Sequence, residues 1–156
     1  MKSLIALLVA TLTLAGCSAI PRDPEHTLER IRSERVLRLG VSPNPPWTTV
    51  EGNRVGGTEV DLVRSFATVQ GAVLETVVGG EEPLIKRMER GEVDVLVGGL
   101  TTANKWSNKV GSTRAYARSV DPEGKTERHV MAVRLGENRL LSELERHLDR
   151  SRGALR

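Results

Sequence analysis

Three short apolar runs rich in β-branched residues constrain this chain more than any other feature: VLRLGV at 36–41, AVLETVV at 72–78 and VDVLV at 93–97. Each has strand length rather than helix length, and each closes on a breaker: Ser42-Pro43, Gly79-Gly80 and Gly98-Gly99. The stretches between them have helical spacing. Val60, Val63, Phe66 and Ala67 share one stripe that Gly71 stops. Leu84, Ile85 and Met88 form a second stripe, with Pro83 in a first turn that tolerates it and Gly91 at the end. Strand, helix, strand, helix, strand at these spacings implies right-handed crossovers between parallel strands. The expected architecture is α/β, an open and mainly parallel sheet flanked by helices.

The flanks add smaller elements. Thr27 is expected to cap a helix running through Leu28 and Ile31 to about Ser33. The proline cluster Pro43-Asn44-Pro45-Pro46 makes a rigid loop carrying Trp47, and residues 48–55 suit a hairpin turning at Glu51-Gly52-Asn53. Residues 103–124 give a weaker pattern, with one helical turn near Trp106. Residues 128–134 read as one strand, and Leu140, Leu141, Leu144 and Leu148 as the inward face of a last helix.

The first seventeen residues, MKSLIALLVATLTLAGC, have one lysine, an apolar run too short to span a membrane comfortably, and then small residues. That is the layout of a secretory signal. Leu14-Ala15-Gly16-Cys17 resembles the lipobox of bacterial lipoproteins, which implies cleavage before Cys17 and its acylation. Cys17 is the one cysteine in the sequence, so it has no intramolecular disulfide partner. The expected organisation is a lipoprotein signal at 1–16, a lipidated spacer at 17–26 and one folded lobe at 27–156. The protein is expected in the periplasm or at the cell surface, anchored to a membrane. Export, a net charge of +3 and basic residues without interleaved aromatics argue against nucleic acid as a partner.

No constellation for catalysis emerges. Ser42 and Thr101 offer hydroxyls without a histidine in a comparable loop, and no nucleophile-elbow pattern occurs. Glu143 and His147 stand four apart, but two ligands without a third are expected to be a structural pair rather than a metal site. Of Glu59 and Asp61, one is expected to complement the helix dipole and the other to face water. The glycines do not form a phosphate loop. Neither enzyme activity nor a cofactor or metal is expected. An open parallel sheet instead binds ligands beyond the carboxyl ends of its strands. There this chain puts two strand exits, Ser42 to Trp47 and Gly98 to Thr102, with Trp47, Gly99 and Thr101 among them, beside a helix start near Thr58 with its backbone N–H groups.

The stretch from Leu28 to Ala67 resembles the opening of the periplasmic solute-binding proteins of ABC importers, the polar amino-acid type known as family 3. The shared pattern is a helix, a G-L-R-V-G-V strand, P-P-F and G-F-D-V-D-L. The resemblance continues through LIKRMERGEVDVLVGGLTT, where the family has L-x-x-G-K-x-D and G-M-T, and reaches Tyr116. It implies a lobe of the type II periplasmic-binding-protein fold and a small-molecule solute as ligand. It aligns Trp47 with the family's ligand-stacking aromatic and Thr101 with a residue that hydrogen-bonds the ligand carboxylate. Trp106 stands where the family has the arginine that clamps that carboxylate. The family's second lobe would follow the Tyr116 region, whereas here residues 117–127 bridge directly to HVMAV. One lobe is therefore expected, with a half-cleft that a transporter or a second copy would close. A protein-interaction module of the cell envelope is the alternative.

Overall fold

The structure, a computed structural model, describes residues 23–154. The signal and Cys17 lie outside the described residues. Helix α1 (Thr27–Glu34) leads into β1 (Val36–Val41), and a hairpin of β2 (Thr49–Glu51) and β3 (Arg54–Gly56) follows. Then come α2 (Thr58–Val69), β4 (Val73–Val78), α3 (Glu81–Glu89) and β5 (Val95–Val97). The chain closes with β6 (Val110–Ser112), β7 (Ala117–Val120), β8 (Thr126–His129), β9 (Ala132–Arg134) and α4 (Asn138–Ala154).

The central sheet has the order β4-β1-β5-β9-β6. Strand β1 pairs in parallel with β4 and β5, while β9 runs antiparallel between β5 and β6. The α/β sheet expected from the sequence is thus present, mixed but mostly parallel. Its two faces divide the core, because alternate strand residues point opposite ways. Leu37, Leu39, Val41, Val95 and Val97 meet α1, α2 and α4 through Ile31, Phe66 and Leu144. Leu96 and Ala132 meet α3 through Leu84, Ile85 and Met88. Phe66, the one phenylalanine, is fully buried, with its ring 5.6 Å from that of His147. Truncating such a residue costs about 3–5 kcal/mol. Asp94 at the foot of β5 is buried and ion-paired with Arg30, and it accepts the Arg38 N–H at 2.9 Å.

Two local expectations change. The reading of 128–134 as one strand fails at Val130-Met131, because β8 pairs with β7 while β9 belongs to the central sheet. Two donated bonds, Thr113 N–H to Met131 O and Tyr116 N–H to His129 O, carry one antiparallel ladder across the break. A turn at Asp121–Lys125 closes that ladder, so residues 117–127 bridge as a β-ribbon. The single turn expected near Trp106 is present, with the Trp106 carbonyl accepting the N–H groups of Lys109 at 2.8 Å and Val110 at 3.2 Å. Thr27 lies inside α1, and the cap position is His26 in the left-handed conformation. The Thr27 N–H is satisfied instead by the carboxylate of Glu137, 3.1 Å away.

Candidate functional site

The double glycine after β5 is where the fold brings its polar chemistry together. Strand β5 ends at Val97, and Gly98 and Gly99 turn the chain away with their N–H groups directed inward. Both donate to one oxygen of Glu59, at 2.8 and 2.9 Å, and the Tyr116 hydroxyl donates to the other. Glu59 is fully buried. Burial pushes its carboxyl above the ordinary carboxylate value, while the Tyr116 hydroxyl and the two glycine N–H groups pull it back. The bare backbone at this strand exit is therefore filled by the chain's own carboxylate. The sequence reading gave Glu59 or Asp61 to the helix dipole and to water. Asp61 is exposed and paired with Arg64, but Glu59 instead bridges α2, the glycine turn and the ribbon. A signal existed in the motif G-T-E-V-D-L, where the acid matches the family's own, but spacing alone does not reveal its acceptor role.

Above the turn sit Asn44 and Trp47. Asn44 donates its side-chain amide to the Gly98 carbonyl at 2.9 Å. Thr48, fully buried, donates to the Ser42 carbonyl and accepts the Asn44 N–H, which locks the proline loop. Gly99 has φ +68°, and a Cβ there would lie 2.4 Å from the Asn44 amide nitrogen and 2.8 Å from Cδ1 of Trp47. Only glycine lets the indole edge come this close. The Trp47 ring is half-buried and stacks on His129, with ring centroids 3.9 Å apart and planes tilted by 31°. His129 is buried on β8, with Nε2 2.7 Å from the Ser119 hydroxyl and Nδ1 without a hydrogen-bond partner. The sequence offers no histidine in a loop like those of Ser42 and Thr101, and this one reaches Trp47 from a strand.

Helix α2 starts against this loop, and its N-terminus is less open than expected. The Glu59 N–H donates to the Trp47 carbonyl at 3.0 Å, and Gly57 packs against the same backbone. Beside Trp47 runs a crevice of about 190 Å³ lined by Thr58, Leu62, Tyr116, Ala117, Leu148 and Ser151.

Of the four residues expected at the site, Trp47 and Gly99 touch. Thr101 is half-buried and forms an isolated β-bridge with His129, so it flanks the Trp47–His129 stack. Trp106 turns elsewhere. Its indole N–H donates to Glu81 at the start of α3, at 2.9 Å, and its ring packs on the core face covered by α3. Lys105 lies 4.8 Å above that ring. The metal reading of Glu143 and His147 gains nothing: Glu143 pairs with Arg146, and His147 is buried against Phe66.

Residues 37–152 match the family of bacterial extracellular solute-binding proteins, family 3. The chain belongs to that family. Its lobe also resembles the arginine-bound form of domain 1 from TmArgBP, at 27% identity and a TM-score of 0.67, covering 78% of this chain and 97% of that one. An ancestral cationic amino-acid solute-binding protein superposes with a TM-score of 0.72 at 15% identity, over 82% of this chain and 94% of its own, which shows the fold alone. This is a single domain of the type II periplasmic-binding fold, an architecture with a ligand-binding role. Curated relatives of similar sequence carry a different name, membrane-bound lytic murein transglycosylase F. The Vibrio cholerae protein is 32% identical over 61% of this chain and 18% of its own length. The Idiomarina loihiensis protein is 33% identical over 60% of this chain and 20% of its own. The chain thus spans about a fifth of the curated relatives it matches. No helix among the described residues is long and apolar enough to cross a membrane.

Proposed function

We propose that this protein is a non-catalytic, extracytoplasmic solute-binding lobe that holds a small polar or aromatic solute against Trp47 and the Gly99–Thr101 edge. In this reading an acylated Cys17 anchors it, and it presents the solute to an importer or another membrane partner. The observation that carries the reading is the Trp47 ring, fixed between the Gly99 turn and His129 at the mouth of an apolar crevice. Ligand pockets usually measure about 300–1,000 Å³. At about 190 Å³, the crevice suits one aromatic ring or a short aliphatic chain, leaving the polar part of the solute on the open shelf. That a lone domain 1 of TmArgBP has an arginine-bound form supports binding by one lobe. With Trp106 spent on Glu81, the carboxylate clamp of the familiar amino-acid mode has no counterpart at that position. Half a cleft leaves a dissociation constant of about 1 mM, about 4 kcal/mol, unless a partner or second copy closes it.

A panel of amino acids, sugars, polyamines, carboxylates and aromatic metabolites at about 10 mM, read by thermal unfolding, tests this. A solute with a dissociation constant of about 1 mM adds about 1.4 kcal/mol, a shift of a few degrees. The expected result is a selective shift lost in Trp47→Ala. If no compound moves a cooperative melt, the solute-binding reading fails.

The names of the relatives favour a second reading, a protein-interaction module of the cell envelope. There the same apolar crevice would take a side chain of a membrane-bound partner, and binding would survive in the absence of any small solute.

A further inference from the structure

A second cluster lies away from the shelf, where the chain enters α1. Asp23, His26 and Glu29 each bring one ligand atom to within 4.8 Å of the other two. Asp23 is 5% exposed, and neither of its carboxylate oxygens accepts a hydrogen bond of normal geometry. One oxygen of Glu29 is likewise buried without a partner, while the other pairs with Arg139. Unpaired buried carboxylate oxygens are costly, and native structures rarely tolerate them without a compensating cation or proton.

The local backbone is built around this arrangement. The Asp23 carbonyl accepts the His26 N–H at 3.0 Å, and His26 takes φ 51° to start the helix. That conformation is uncommon for a residue other than glycine or asparagine. Glu137 takes the helix-start N–H groups of Glu25 and Thr27, both at 3.1 Å, which leaves the Leu28 N–H beside Asp23 without a bond of normal geometry to that carboxylate. Asp23, Glu29 and Glu137 thus converge against the Arg139 guanidinium.

We propose that Asp23, His26 and Glu29 form a binding site for a divalent transition-metal ion of the zinc class. One imidazole with two carboxylates matches the borderline preference of Zn²⁺, whereas Ca²⁺ and Mg²⁺ favour all-oxygen sets. Three ligands about 2.0–2.2 Å from one tetrahedral ion lie about 3.3–3.6 Å apart, so side chains within 4.8 Å of one another need to close by at most about 1.5 Å. Such an ion fastens the segment entering the fold onto α1, and through Glu29–Arg139 onto α4. This site is independent of the solute shelf.

Calorimetric titration of the chelator-stripped protein with ZnCl₂ tests the assignment, alongside thermal unfolding with and without the ion. One saturable ion per chain and a raised unfolding midpoint are expected. His26→Asn keeps a side chain that tolerates the left-handed backbone, and it should weaken the affinity at least tenfold. His147→Gln, remote from the cluster, should not change it. Asp23→Asn should also weaken binding, and circular dichroism checks that this buried change leaves the fold intact. Absence of binding at 1 mM Zn²⁺, or binding that His26→Asn leaves unchanged, would overturn the proposal. So would a preference for Ca²⁺ over Zn²⁺.

Discussion

Glu59→Ala removes the acceptor of three donors at once: the N–H groups of Gly98 and Gly99 and the Tyr116 hydroxyl. A buried polar group left unpaired costs about 1–3 kcal/mol. Three such groups would cost more than the variant loses, because the change also relieves a buried carboxylate and admits water. We expect a net loss of about 3 kcal/mol, or roughly 10 °C in unfolding midpoint for a domain of this size. Glu59→Gln keeps one acceptor oxygen for the two glycines and should cost about 1 kcal/mol. The vacated pocket gives a sharper reading, since it fits a small carboxylate. With 100 mM acetate and a dissociation constant of about 10 mM, the Ala variant should regain about 1.4 kcal/mol, and the parent protein nothing specific. Urea unfolding of all three proteins, with acetate and with chloride at equal ionic strength, makes the comparison. An Ala variant within 1 kcal/mol of the parent, or equal acetate effects on both, would refute the idea that Glu59 fills the strand exit.

The other expectations are simpler. Gly99→Ala puts a Cβ into Asn44 and Trp47 at a φ of +68°, so it should cost about 2–4 kcal/mol by thermal unfolding and quench any solute-induced shift. Trp106→Arg should not create micromolar binding of free amino acids in calorimetry, because a guanidinium there meets Glu81 and no second lobe among the described residues grips the amino end. Burial holds His147 below its ordinary value of 6.5, with Arg150 adding to the effect. Its folded pKa is depressed, so stability is full above about 6.5 and declines as the pH falls through the folded value. His147→Gln should lack that decline, and the gap between parent and variant in urea unfolding should narrow from pH 7.5 to pH 5. A constant gap would contradict the assignment.

The layered fold was legible because its signals are local. β-branched runs, glycine stops and 3.6-residue stripes each report on a few neighbouring residues, and β1, α2, β4, α3 and β5 all follow from them. What stayed hidden depends on pairs distant in sequence. The helical period puts Glu59, four before Val63 and seven before Phe66, on the inward stripe, but Glu59 meets Gly98 and Tyr116 only once β5 and the ribbon are in place. His129 lies on an alternating strand whose neighbour across the gap is Trp47, a contact set by the kink at Val130-Met131. Trp106 was grouped with Trp47 because it aligns with the family's carboxylate-clamping arginine, but the turns after Thr101 carry it over α3. The orphaned oxygens of Asp23 depend on Glu137, more than a hundred residues away, having claimed the start of α1.

The central claim is that a solute sits on Trp47 and not on Trp106. The protein has two tryptophans, so a ¹⁵N-labelled sample gives two indole N–H signals that single Phe substitutions assign. Titrating the best solute from the panel while following both signals and the Gly99 amide is the most direct measurement. The Trp47 indole and Gly99 are expected to shift together along one saturable curve while the Trp106 indole, bonded to Glu81, stays in place. A titration that moves Trp106 and leaves Trp47 unchanged would contradict it.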